Sequence, residues 1–115
     1  MSETEKLCQR FLRAAADILR KRGWVRGKRI TSSGQMCMLG AMDHCGITLT
    51  WDDRYAIEKH VASLLPALEG LMDTYNGNIV SPTSKPAHKI AAWNNMIAAD
   101  GEEVAAKLDL AAESC

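Results

Sequence analysis

The sequence predicts a mainly α-helical fold. It should form a compact single domain over residues 1–115, a bundle of four to five helices with a short β-ribbon or an irregular connection at about 24–35. Aromatic residues are only 5% of the chain while alanine, leucine and methionine abound, a balance that favours helix over strand. Apolar residues recur at spacings of three and four over several stretches, and helix start and stop signals bracket them. With 115 residues there is room for one domain and not two. Apolar residues at 47% and charged residues at 24% are the mix of a globular chain with a real core.

The elements follow in order. Ser2-Glu-Thr-Glu5 reads as a capping box, and Leu7, Phe11, Ala14, Ala15, Ile18 and Leu19 recur behind it. Lys21 and Arg22 suit a helix C-terminus and Gly23 the left-handed residue just past it, so the first helix spans about 3–22. Residues 24–35 show little periodicity, with turn signals at Gly27, Ser32, Ser33 and Gly34. Met36 to Cys45 reads as a short helix closed by Gly46, and Thr50 to Asp53 as the cap of the next. The stripe Ile57, Val61, Leu64, Leu65, Leu68, Leu71 and Met72 contains Pro66, where a kink or break is expected. Tyr75 to Asn78 ends that element, and residues 76–86 read as an exposed loop. Pro86 fits the first turn of a helix with Ile90, Trp93 and Ile97 on one face. Asp100-Gly-Glu-Glu103 caps a last helix with Val104, Leu108 and Ala111 as its stripe.

Charge and cysteines bound the function classes. Basic and acidic residues number 14 each, which argues against a whole-surface field for nucleic acid. Residues 1–60 hold 11 basic against 7 acidic side chains, so +4, and residues 61–115 hold 3 against 7, so −4. Cys8, Cys37, Cys45 and Cys115 could form two bridges, but their spacing carries no zinc or redox signature. The polar start MSETEK has no apolar run for a signal peptide, and no stretch of 18 apolar residues offers a membrane span. Reduced thiols in a cytoplasm are the default expectation.

Four features carry candidate chemistry. The first is Cys37 in GQMCMLGAM, residues 34–42. If 36–45 is helical, Cys37, Ala41 and Cys45 share a face and the helix is apolar on most sides, so Cys37 is expected to be a core thiol. A helix separates Cys37 from Cys45 by about 12 Å, beyond the roughly 7 Å a disulfide spans. A catalytic Cys37 would need an imidazole from His44, His60 or His88, and His44 points away. No cofactor is expected, and no metal, because the histidines lack ligand spacing.

The second is the basic segment Arg20, Lys21, Arg22, Arg26, Lys28 and Arg29 around Trp24, which could grip a polyanion and stack a base. Its plainer reading is a charged helix end and turn with Trp24 folded into the core. The third and fourth are Trp93 and Asn94. Asn94 falls on the apolar side of its helix, where a buried amide needs partners, and the backbone of 24–35 can supply them. Trp93 and Asn94 are therefore expected to lock that connection onto the last two helices; the alternative is an amide lining a ligand pocket beside Trp24.

Three patches taken together, RKRGW at 20–24, GQMCMLGAM at 34–42, and IAAWNN with DGEEVAAKLDLAA at 90–112, resemble a family of small actinobacterial and phage proteins known as a domain of unknown function. The positions carrying the resemblance are Gly23, Trp24, Gly34, Cys37, Gly40, Ala41, Ala92, Trp93, Asn94, Glu103 and Val104. Asn95 stands where the family often has aspartate and Asp100 where it often has threonine; residues 47–85 match only as a helical region of variable length. The resemblance implies an intracellular setting and no particular activity. The expected function is a non-enzymatic binding module in a bacterial host cytoplasm, contacting a host protein or a second copy of itself. Nucleic-acid binding through the basic segment is the alternative, and a small-ligand or Cys37-dependent site the second.

Overall fold

A computed structural model describes residues 3–73 and 78–115. Helix α1 spans Glu3–Arg22, α2 Met38–His44, α3 Trp51–Ser63, α4 Pro86–Ala92 and α5 Gly101–Glu113; a π-helical turn, Trp93–Ile97, continues α4. The fold is mainly α. Its one two-stranded ribbon among the described residues pairs β1, Met72–Asp73, with β2, Asn78–Ile79. The expected capping box at Ser2 and the turn at Tyr75–Gly77 lie outside the described residues.

Local chemistry sets the helix ends. Gly23 adopts φ +97° and its N–H donates to the Leu19 carbonyl at 2.9 Å, closing α1 with the left-handed residue that glycine supplies without strain. Thr50 caps α3 by accepting from Asp53 N–H at 3.2 Å, and Asp100 caps α5 by accepting from Glu103 N–H at 2.8 Å. Helix α3 stops at Ser63, three residues before Pro66, because the proline biases the residue before it away from the helical region. Leu64 and Leu65 close the end with bonds back to Val61 and Ala62.

Residues 24–35 form no ribbon. Met36 instead makes isolated bridges to Trp24 on one side and Ile30 on the other, so the connection wraps around a single buried residue.

Helix α1 packs most extensively on α5, and alanines on both helices allow the close approach: Ala15 and Ala16 of α1, Ala105, Ala111 and Ala112 of α5 are all buried. The buried face of α1 is Cys8, Phe11, Leu12, Ala15, Ala16 and Leu19, with Ala14 and Ile18 at its margin, because α2 covers the other flank. Two further ties join α1 to α5. Arg20 forks onto Glu102 at 2.8 and 3.2 Å and reaches Asp109 at 2.7 Å, so opposite charges of the two halves of the sequence meet inside one molecule. The bond to Glu102, then that to Asp109, raises the Arg20 pKa above its ordinary value, and the same guanidinium holds the Glu102 carboxyl below its own.

The second tie corrects the expectation of reduced thiols: Cys8 and Cys115 form a disulfide, with Cα atoms 6.0 Å apart. Spacing could not reveal it, because 107 residues separate the two and only the antiparallel return of α5 along α1 brings them together. Closing a loop of 107 residues stabilises the fold by up to about 4–5 kcal/mol in the chain-entropy account. Reduction, or Cys115→Ser, is therefore expected to lower the melting temperature markedly while leaving the helical content below the transition intact, as followed by circular dichroism with and without a thiol reductant.

Candidate functional site

The polar centre of the molecule is Asn94, 1% exposed. Its Oδ1 accepts from Trp24 Nε1 at 2.8 Å and from Met38 N–H at 3.0 Å. Its Nδ2 donates to Asn95 Oδ1 at 2.9 Å and to the Val25 carbonyl at 3.5 Å. Two donors on one side and two acceptors on the other fix the amide orientation and use its full capacity. Asn95 Oδ1 also accepts from Gly27 N–H at 2.8 Å, and Arg26 donates to the Ala98 carbonyl while its guanidinium sits 4.7 Å over the Trp24 ring. The connection after α1 is thus hydrogen-bonded at Trp24, Val25, Arg26 and Gly27 to the segment 94–98.

The π turn makes this geometry possible. Ala98 N–H reaches back five residues to the Trp93 carbonyl at 2.9 Å, so each residue advances by a smaller angle than in an α-helix. Trp93, Asn94 and Asn95 can then all face inward, and all three are buried. The same shift moves Ile97 off the expected core face, leaving it and Met96 half-exposed. Asn95 was legible in the sequence only as a departure from the family pattern, because an α-helical count turns it away from Asn94's side.

Two glycines mark where backbone meets neighbour. A Cβ on Gly40 would lie 1.7 Å from the Arg29 carbonyl oxygen, and one on Gly101 would lie 2.7 Å from Trp24 Cβ. Cys37 precedes α2 as its N-cap rather than standing inside it, and its sulfur accepts from Gly40 N–H at 3.4 Å. The residue is 1% exposed, and no disulfide joins it to Cys45. Among the described residues no three His, Cys, Asp or Glu side chains are placed to hold a metal ion, and no helix is long and apolar enough to cross a membrane.

The basic segment is divided. Arg20 serves the α1–α5 clamp, Arg26 the Ala98 carbonyl, and Arg29 donates to Asp43 at 2.6 Å. Lys21, Arg22 and Lys28 are the exposed cations left for a polyanion, and the Trp24 ring lies half-buried beneath Arg26. A cleft of about 340 Å³ does open beside Trp24, lined by Leu19, Arg20, Gly23, Trp24, Gly101 and Glu102. Asn94 is not among its walls.

A feature the sequence reading passed over is the exposed face of α3. Trp51 is 76% exposed and Tyr55 40%, and their rings stack at 5.4 Å between centroids with 15° between planes. Their offset from the buried Ile57 and Val61 by helical count could have shown that this aromatic pair stands off the core stripe.

The model of a family of unknown function (DUF6197) matches residues 4–114. The chain belongs to this family. No curated protein and no solved structure matches it. The positions that carried the resemblance to DUF6197 gather around the Asn94 network: Gly23 and Gly34 hold positive φ at the ends of the connection, Gly40 lies against Arg29, and Glu103 accepts from Ala99 N–H at 3.3 Å before α5.

Two stability outcomes follow. Asn94→Leu strands the Trp24 and Met38 donors and the Val25 carbonyl, and is expected to destabilise by about 3 kcal/mol or more; Asn95→Asp keeps the acceptor that Gly27 and Asn94 use and should be far milder. Gly40→Ala drives a methyl into a backbone carbonyl and should destabilise by at least about 1–3 kcal/mol. Urea denaturation of the three variants checks both; equal losses for Asn94→Leu and Asn95→Asp would contradict the assigned roles.

Proposed function

We propose that the protein is a small non-enzymatic binding module that acts by protein–protein contact, with the exposed face of α3 as its contact surface. The observation that carries this reading is the stacked Trp51–Tyr55 pair standing in solvent. Leaving so large an apolar ring exposed forgoes burial, whereas tryptophan and tyrosine are the residues that dominate binding energy once an interface covers them. Stacking also holds both rings in place before contact, so little side-chain freedom remains to be lost on binding. The polar groups of the family pattern support the reading from the other side, because Asn94 and Trp24 have spent their hydrogen bonds on the fold.

The setting we propose, the cytoplasm of a bacterial host with a phage or actinobacterial origin, rests on the resemblance alone. The Cys8–Cys115 bridge argues against a strongly reducing compartment, where such pairs are rare.

The test is capture by photo-crosslinking in cells expressing the protein, followed by affinity measurement with the protein identified. Trp51→Ala with Tyr55→Ala is expected to weaken that binding by about tenfold or more while leaving the far-ultraviolet circular dichroism unchanged. Undiminished binding by the double variant would remove α3 as the contact surface.

A further inference from the structure

We infer that the partner of the α3 face is a second copy of this chain, docked antiparallel about a two-fold axis through Tyr55 and Ala56. This deepens the contact reading above and rests on it. The exposed side chains of α3 are Trp51, Asp52, Tyr55, Ala56, Lys59 and Ser63, which by helical count form one continuous stripe opposite Ile57 and Val61. An isologous interface brings each residue of a stripe against its mirror position on the other copy. Centred between 55 and 56, this stripe sets Asp52 against Lys59 of the second copy, and Lys59 against Asp52 of the second copy. Tyr55 then lies over Ala56 of the second copy.

The central pairings, Asp52 with Lys59 and Tyr55 with Ala56, are chemically matched. Asp52 and Lys59 are seven residues apart on one helix, about 10.5 Å along its axis, outside the three- or four-residue spacing at which helix side chains pair. Among the described residues neither makes an ion pair within the molecule, whereas Arg54 and Glu58 on the flank pair with each other at 3.1 Å and Arg54 with Asp43 at 2.9 Å. The small side chain of Ala56 leaves room for the opposed Tyr55 ring, and Trp51, stacked on Tyr55, extends the apolar cover toward the far end of the facing helix. The formal net charge of zero means two copies meet without long-range repulsion. A parallel arrangement would instead set Asp52 against Asp52 and Lys59 against Lys59. A single helix face is a small contact, so the dimer belongs to the weak, transient class.

The experiment is sedimentation equilibrium of the full chain, disulfide intact, over a wide concentration range, on the wild type, Asp52→Lys, Lys59→Glu and an equimolar mixture of the two variants. The wild type should pass from monomer to dimer as concentration rises. Each single variant opposes like charges at both ends of the interface and should weaken association by about tenfold or more. In the mixture, Lys at 52 of one chain meets Glu at 59 of the other while the native Lys59 and Asp52 still pair, so a heterodimer should return at the wild-type concentration. All the substituted residues are exposed, and recovery on mixing excludes misfolding as the reason for loss. A wild type that stays monomeric throughout, single variants that dimerise as well as the wild type, or a mixture that fails to recover would each overturn the self-docking inference. A monomeric wild type that still captures a different protein through Trp51 and Tyr55 would leave the contact reading standing; loss of both would remove the two together.

Discussion

The four hydrogen bonds of one buried amide are the constraint on which the other parts of this structure rest. Asn94 ties the connection after α1 to the turn before α5 and to the first residue of α2, so three elements far apart in sequence share one polar atom group. An amide in a site this dry is costly when any of its partners is missing and worthwhile only when all are present. That requirement makes the network all-or-none. Trp24 must turn inward for its Nε1 to reach Oδ1, and the α2 N-terminus must approach so that Met38 can do the same. The turn after α4 must also be widened so that Asn95 can receive the amide's second proton.

The glycines are consequences of this closeness. Met38 reaches Asn94 only if α2 presses against the connection at Arg29, and Gly40 is where the two backbones meet. Trp24 reaches Asn94 only if its Cβ lies over the first turn of α5, and Gly101 clears that space. Neither glycine has a positive φ, so neither is there to make a turn. Their role is the absence of a side chain at a contact between backbone and neighbour.

Most of the helices were legible because each has a local cause: Thr50 and Asp100 as caps, Gly23 as a stop, Pro66 as a break and Pro86 as a first turn. The link between Asn94 and the 24–35 connection was also legible, since a buried amide and a connection with unpaired backbone groups need one another. Non-local features were out of reach. The Cys8–Cys115 bridge depends on α5 running back along α1, and Asn95's inward turn depends on a five-residue backbone bond that periodicity at 3.6 does not register. The ribbon expected at 24–35 was a reading of strand-forming residue types; Met36 donates to Gly23 and accepts from Val25 on one flank, while its neighbours Gln35 and Cys37 bond Thr31 and Arg29 on the other, which leaves only isolated bridges there. Cys37 as a cap escaped notice because serine, threonine, aspartate and asparagine are the usual residues in that position.

The division of labour along the chain bears on where function resides. Residues that carried the family resemblance are occupied by folding: the indole and amide with each other, the glycines with backbone contacts, Glu103 with the N–H preceding α5. The segment 47–85, which the resemblance reached only as a helical region of variable length though the family match runs through it, holds the face with chemistry to spare, where two aromatic rings stack in solvent and, among the described residues, Asp52 and Lys59 make no ion pair. A fold secured by a saturated network can tolerate change on a helix that network does not touch. The positions that carried the resemblance thus lie in the scaffold, and the α3 face that we propose as the contact surface lies outside them.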